Sequence, residues 1–434
     1  MKIEKIKIIS FVIGLGISLS VSSQTSKEAS GTLSFTLKEA HDYAMQYNKT
    51  LQNSGLAVSQ AQKKVWETIS TGLPQINATL DYQNMLGFKM NLFGQSIALQ
   101  PTSTLQAQIT QLLFNGSYWV GIKMSRTGEK IAETAKLQSE LEIRQQVQSA
   151  YLSVLMAEEN KKILQMNLDN IETLAKSIDN MVRIGVAEVT DADQMKVQVG
   201  ALMNGIKSVE RAIELAYNLM RFFMGVSMDT EIVLKETLDD LINKKPASES
   251  LATQFDINAN YNMQLLGKQV ELANSQVHLE YASTLPTVLM FYNYTYKIQA
   301  STFDMTPKSV LGLQAKIPIF ASGQRCSKIQ QAKINRESVQ NNRELVSEQL
   351  LMQERQLRFN LKNSIESLEL QKEAMEVSQR VFESISRKFQ HGTASSLDVT
   401  TASSNLLQTQ TNYINAMMQV FTAQTELEKL LNVM

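Results

Sequence analysis

Apolar positions along this chain of 434 residues follow two periods, and the change from one to the other divides it. One set recurs at steps of three and four: Ile143, Val147, Tyr151 and Val154, then Leu164, Leu168, Ile171, Ile178 and Met181. A second set runs Leu350, Leu357, Leu361, Ile365, Leu368, Met375, Phe382, Ile385 and Phe389. Such narrow stripes belong to coiled-coil helices. The tracts that hold them, 102–245 and 319–434, contain none of the six prolines, and 129–184 and 324–391 also lack glycine, so neither stripe meets a helix breaker. A helix over 324–391 extends ~100 Å at 1.5 Å per residue, about three times the diameter of a small domain. The chain is therefore elongated. Gly-led turns at 184–190 and 391–397 interrupt the stripes, and an amphipathic segment follows each; the later one carries Leu406, Tyr413, Met417, Val420, Leu427 and Leu431. Two antiparallel helical hairpins are predicted, with tips near 185–190 and 392–397.

Elsewhere the period is two. Ile76, Ala78, Leu80 and Tyr82 alternate with Asn77, Thr79 and Asp81, and Val288, Met290, Tyr292, Tyr294 and Tyr296 form one row after Pro286. Leu105, Ala107 and Ile109, and Leu311, Leu313, Ala315 and Ile317, repeat the pattern. Four strands are predicted, at about 75–84, 104–114, 287–297 and 309–320, each near the ~9–11 residues that a tilted membrane strand needs. Taken alone, the alternation also fits two ordinary surface hairpins.

An internal repeat tilts that balance. Pro74 in Gly72-Leu73-Pro74-Gln75 is matched by Pro286 in Thr284-Leu285-Pro286-Thr287, and Asn48-Lys49-Thr50-Leu51 by Asn260-Tyr261-Asn262-Met263, both at an offset of 212. Past the shorter second hairpin the offset becomes 207, pairing Gly185 with Gly392, Asp191 with Asp398, and 223–226 with 430–433. One unit of helix, two strands, long helix, tip and return helix occurs twice, over 24–226 and 255–434, with 227–254 as connector.

The start of the chain reads as an export signal. Lys2, Lys5 and Lys7 precede an apolar run from Ile8 to Val21, and Ser22-Ser23 supply small residues before Gln24. Residues 1–23 are expected to be removed; the apolar run is shorter than the ~20 residues of a spanning helix. No cysteine stands at its end, so a lipoprotein-type anchor is not expected. No later stretch offers a membrane helix, so the chain either stays in water outside the cytoplasm or enters a membrane as β-strands.

Composition removes other classes. Lys+Arg 42 against Asp+Glu 42 leaves no net charge, so nothing attracts nucleic acid. Cys326 is the single cysteine, read as a small hydrophobe, and His41, His278 and His391 lie far apart, so no metal cluster or cofactor site is expected. No nucleophile–base pair or phosphate-cradling glycine motif points to an enzyme. His391 beside Gly392 suits a helix C-terminus, and the uncharged run Thr400 to Asn415 suits a water-filled lumen or any solvated helix face.

Four membrane-length strands cannot close on themselves, and an open edge in lipid leaves backbone groups unpaired at several kcal/mol each. Two chains would give eight strands with an interior filled by side chains; three would give twelve and an aqueous lumen. A homotrimeric conduit follows, with a secreted or periplasmic coiled-coil scaffold without a pore as the alternative.

The repeated strand and helix unit, the Leu-Pro before each strand pair, the exits Leu-Phe-Asn-Gly (113–116) and Ile-Phe-Ala-Ser-Gly (319–323), and the two Gly-x5-Asp tips resemble the TolC-type outer-membrane efflux proteins over about 35–434. The resemblance implies a mostly α fold with a membrane β-barrel part: a long antiparallel coiled-coil barrel in the periplasm, with four strands per chain completing a 12-stranded trimeric barrel in the outer-membrane lipid. It further implies a non-catalytic exit duct of a tripartite efflux pump or type I secretion system. The partners would be a periplasmic membrane-fusion adaptor and an inner-membrane transporter. By resemblance, Ile184, Gly185, Val186, His391, Gly392 and Thr393 face the adaptor, and Asp398, Asp191 and Thr401 form the channel gate.

Two departures bear on the gate. Thr401 stands where the family pattern has a second aspartate, and Ala394 where it has an arginine, so Asp191 loses a basic partner and packing of Ile184, Val186 and Phe389 is expected to hold the closed state instead. Ser395-x-x-Asp398 also has the form of a capping box, a role compatible with gating.

Overall fold

In a computed structural model, residues 32–434 are described except 93, 94, 99, 239, 242–245 and 301–305, and side chains are not described at 90–92 and 95–98. The expected signal segment 1–23 lies outside these residues. Short helices α1 (Leu37–Tyr47) and α2 (Lys49–Ser70) open the chain, after strand β1 (Leu33–Phe35). Strands β2 (Gln75–Gln83), β3 (Lys89–Leu92), β4 (Gln95–Ala98) and β5 (Thr102–Asn115) lead into the long helix α3 (Gly116–Arg183) and its return α4 (Val189–Met224). After β6 (Ile232–Leu234) and α5 (Ala247–Ala252) come α6 (Tyr261–Ala282), β7 (Thr287–Gln299), β8 (Ser309–Lys316), the long helix α7 (Gln324–Gln390) and its return α8 (Ser396–Leu431).

The long helices have 68 and 67 residues, and the stripes read from the sequence bury them. Ile143, Val147, Tyr151 and Val154 join α1, β6 and the end of α4 in one core, and Leu164, Leu168, Ile171, Ile178 and Phe389 join Met195 and Val399 in a second near the tips. Leu350, Leu357 and Leu361 meet Leu427 and Leu430 in a third. Helix α3 packs on α2, α4, α6 and α8, and α7 on α6 and α8, which leaves α2 and α4 along one side and α7 along the other.

The four membrane-length strands form one antiparallel sheet in the order β2-β5-β7-β8. Their bounds differ from the sequence expectation at the ends. β5 and β7 run longer, through Asn115 and Gln299, and β8 stops at Lys316 instead of 320 because Pro318 has no N–H for the ladder.

Two other pairings carry no sequence signal. β3 and β4 form a small hairpin between β2 and β5. β1 pairs in parallel with β6, so the 227–254 connector is held through Ile232–Leu234 to Leu33–Phe35. Below that pair, the Tyr151 hydroxyl donates to the Phe35 carbonyl at 3.2 Å and to Glu236 at 3.3 Å, and the same carboxylate accepts from the Leu37 N–H at 2.6 Å.

Matched positions make matched bonds. Asn48 caps α2 and donates from Nδ2 to the Phe223 carbonyl at 2.6 Å; Asn260 caps α6 and donates to the Leu430 carbonyl at 3.0 Å. Each return helix ends in the left-handed region, α4 at Gly225 (φ 74) and α8 at Asn432 (φ 57).

Candidate functional site

The register of the sheet sorts its side chains by face. Ile76, Ile109, Tyr292 and Leu311 form one cross-strand row, and Leu80, Leu105 and Tyr296 another. Asn77, Gln108 and Asn293, and Thr79, Gln106 and Thr295, make the rows of the opposite face. The apolar face is uncovered: Ile76 is 72% exposed and Leu311 71%, and Tyr292, Tyr294 and Tyr296 all stand on it, exposed. Ordinary hairpins bury this face against a core. Here the arrangement is that of a sheet whose apolar side meets a non-aqueous medium and whose polar side meets water. Among the described residues, β2 and β8 each have one unpaired edge, and no helix is long and apolar enough to cross a membrane.

At the far end of the helices the two tips share one backbone design. After α3, Ile184 is the cap and Gly185 (φ 79) turns the chain; the Val186 N–H bonds the Met181 carbonyl at 2.8 Å and the Gly185 N–H bonds Val182 at 3.1 Å. After α7, His391, Gly392 (φ 72) and Thr393 repeat these bonds to Lys388 at 2.9 Å and Phe389 at 2.9 Å. This double bond is the usual way to satisfy the last carbonyls of a helix around a left-handed glycine. The tips are shorter than the sequence suggests, because α4 starts at Val189 and α8 at Ser396.

All six residues expected at the adaptor-facing surface are exposed at these turns. Ile184 is 74% exposed and Val186 72%, whereas Phe389 is buried in the core near the tips, so within one chain these three do not pack together. Cys326, in the first turns of α7, is exposed and does not act as core filler.

The carboxylates expected at the gate have different partners. Asp398 closes a capping box: it accepts from the Ser395 N–H at 2.9 Å, while its own N–H donates to the Ser395 hydroxyl at 3.2 Å. The Ser395 backbone N–H foremost, and its hydroxyl next, hold the Asp398 carboxyl below its ordinary value. Thr401 is exposed one turn further along α8. Asp191 occupies the same place in α4, but there the cap residue is Glu188, whose side chain makes no capping bond. Asp191 instead accepts a hydrogen bond from the Ser396 hydroxyl at 2.5 Å, linking the first tip to the second. Ser396 is not marked by the sequence; Glu188 in the place of Ser395 shows only that Asp191 lacks a capping partner of its own. Among the described residues no group of His, Cys, Asp and Glu is placed to hold a metal ion.

Comparison with known proteins follows the same outline. The model of a family described as Outer membrane efflux protein matches residues 41–226 and 257–433. Outer membrane protein TolC of Salmonella enteritidis is 22% identical over 392 residues, covering 88% of this chain and 78% of its own. Among solved structures, the outer membrane protein VceC of Vibrio cholerae superposes with a TM-score of 0.73 at 15% identity, covering 91% of this chain and 95% of its own. The CmeC outer membrane channel of Campylobacter jejuni gives 0.74 at 14% identity, covering 92% and 85%.

Proposed function

The chain belongs to the outer membrane efflux protein family, and on that premise we propose that three copies close into one duct that carries cargo from an inner-membrane transporter and a periplasmic adaptor to the exterior. An outer membrane efflux channel is not an enzyme; it sits in the outer membrane with its helices in the periplasm. The finer reading is a homotrimer serving as the exit of a tripartite efflux pump or a type I secretion system.

One observation carries it: an apolar sheet face open on one side, a polar face on the other, and an unpaired strand at each edge. In lipid those edges cost several kcal/mol per unpaired backbone group, so they must meet other edges. The helices are laid out to match. The edge strand β2 continues α2, and the edge strand β8 leads into α7, so sheet and helical layer end on the same two sides. A head-to-tail ring then joins the β2 side of one copy to the β8 side of the next, and three copies supply twelve strands around an aqueous lumen. A coiled-coil scaffold in water leaves this apolar face without a purpose.

In this reading the exposed turns at Ile184, Gly185, Val186, His391, Gly392 and Thr393 meet the adaptor. Asp398, Asp191 and Thr401 surround the narrow periplasmic end, with the Asp191–Ser396 bond helping to keep it shut.

Chemical crosslinking of detergent-purified protein is expected to stop at trimers; a ladder ending at dimers, or a water-soluble single chain, overturns the assembly. The gate has its own test in planar bilayers. Asp398→Asn keeps an oxygen for the Ser395 N–H but removes the charge, so block by trivalent cations should weaken; unchanged block removes Asp398 from the gate.

A further inference from the structure

Between Asp398 and Glu426, α8 carries no charged residue. Yet it presents one face to solvent throughout. Thr401, Asn405, Gln408, Asn412, Asn415 and Gln419 follow each other at alternating steps of four and three, half-buried at Asn412 and exposed at the rest. That spacing averages 3.5 residues, which keeps a row at constant bearing on a left-handed coil. The row from Asp398 to Gln419 is thus a single track of hydroxyls and carboxamides ~30 Å long.

Helix α4 supplies the contrast. One of its exposed rows is charged, with Asp193, Lys196, Lys207, Glu210 and Glu214. A second row begins at Asp191 and continues through Gln194, Gln198, Ala201, Gly205, Ser208 and Ala212 without a charge, half-buried at Asp191, Gln198 and Gly205 and exposed at the rest. At the repeat offset of 207 these positions are the partners of the α8 row, from Gln194 with Thr401 to Ala212 with Gln419. The two rows also lie on one surface: Gln198 donates from Nε2 to the Ser404 hydroxyl at 3.2 Å, beside Asn405, and Asp191 accepts from Ser396. Water outside a protein is ordinarily met by a charged face such as the first row of α4. A wall that fills with water but must not retain passing solutes needs polar groups without fixed charge.

We propose that the shared charge-free surface of α4 and α8 is the inner wall of the lower duct, and that it passes polar solutes of either charge sign, leaving charge discrimination to the Asp398 end. This rests on the channel reading above, with Asp398 turned toward the axis. Fixed charges on a pore wall set the sign of the ions that enter it; here the long stretch between the two ends of the row has none on these helices.

The test uses the full-length assembly in planar bilayers under a KCl gradient, reading the reversal potential. Asn412→Lys places three cations in the wall and should lower the potassium-to-chloride permeability ratio about threefold or more; Gly205→Lys, its repeat partner, should act in the same direction. Lys207→Glu, on the charged row of α4, should leave the ratio unchanged. If Asn412→Lys does not assemble, Asn412→Cys in a Cys326→Ser background, needed because Cys326 is exposed, can be labelled after reconstitution with an anionic thiol reagent. Labelling should then raise the ratio. Channels that conduct but ignore both changes at position 412, or that respond to Lys207→Glu, overturn the wall assignment and leave the channel reading standing. A wild-type chain that forms no conductance overturns both.

Discussion

The first and second halves of this chain place the same groups at matched positions and use them differently. Asp398 folds back on Ser395 and ends its reach there, whereas Asp191, with Glu188 in the place of Ser395, extends to the other hairpin. One residue three positions earlier decides whether a carboxylate caps its own helix or ties two helices together. The backbone joints at the two tips are alike, and the side chains around them are not. The left-handed ends of the return helices differ in the same way. A Cβ on Gly225 would stand 2.5 Å from the Tyr47 carbonyl oxygen, while Asn432 has room for a side chain and donates from Nδ2 to the Ala259 carbonyl at 2.7 Å.

The largest effect is therefore expected at Gly225. Gly225→Asn installs the residue that the second half uses, but drives Cβ into backbone and should cost roughly 3 kcal/mol, read as a fall in the thermal dissociation temperature of the assembly. Asn432→Gly loses one hydrogen bond and should cost no more than about 1 kcal/mol. Equal costs would show that the two ends are interchangeable.

Acid should separate the halves next. His41 is pulled down from 6.5 to about 4, first by burial and then by the charge of Arg144. The group 212 positions later is Thr253, which does not titrate. Because the folded chain refuses a proton that the unfolded chain takes up between pH 6.5 and about 4, stability falls as pH is lowered through that window, by up to ~3 kcal/mol. His41→Phe should flatten the melting temperature across it, and an unchanged acid slope would remove His41 as its source.

The smallest effects are at the caps. Ser395→Ala should cost about 1 kcal/mol in a denaturant or thermal series, whereas Glu188→Ser should stabilise by roughly 0.5–1 kcal/mol by building the missing box around Asp191. If Glu188→Ser also weakens closure, the bond between the tips competes with the cap.

Much of this was legible in the sequence, for definite reasons. The helices and tips were readable because an apolar stripe sustained over about 40 residues leaves little choice of period, and because Gly185 and Gly392 sit just past where it stops. The sheet was readable from alternation and the repeated Leu-Pro. β1 and β6 were not, since three residues each are too few to show a period, and their pairing joins Leu33 to Ile232. The Tyr151 and Glu236 bonds, and Ser396 to Asp191, were hidden by chain distance: nothing local to Ser396 names a partner 205 positions away.

The uncovered sheet has a consequence for biogenesis. A single copy offers lipid an apolar face but also two raw margins, so in the trimeric reading the bilayer itself rejects any incomplete ring. Insertion and stoichiometry then become one step, and the rate at which channels appear should climb steeply with the supply of unassembled chains.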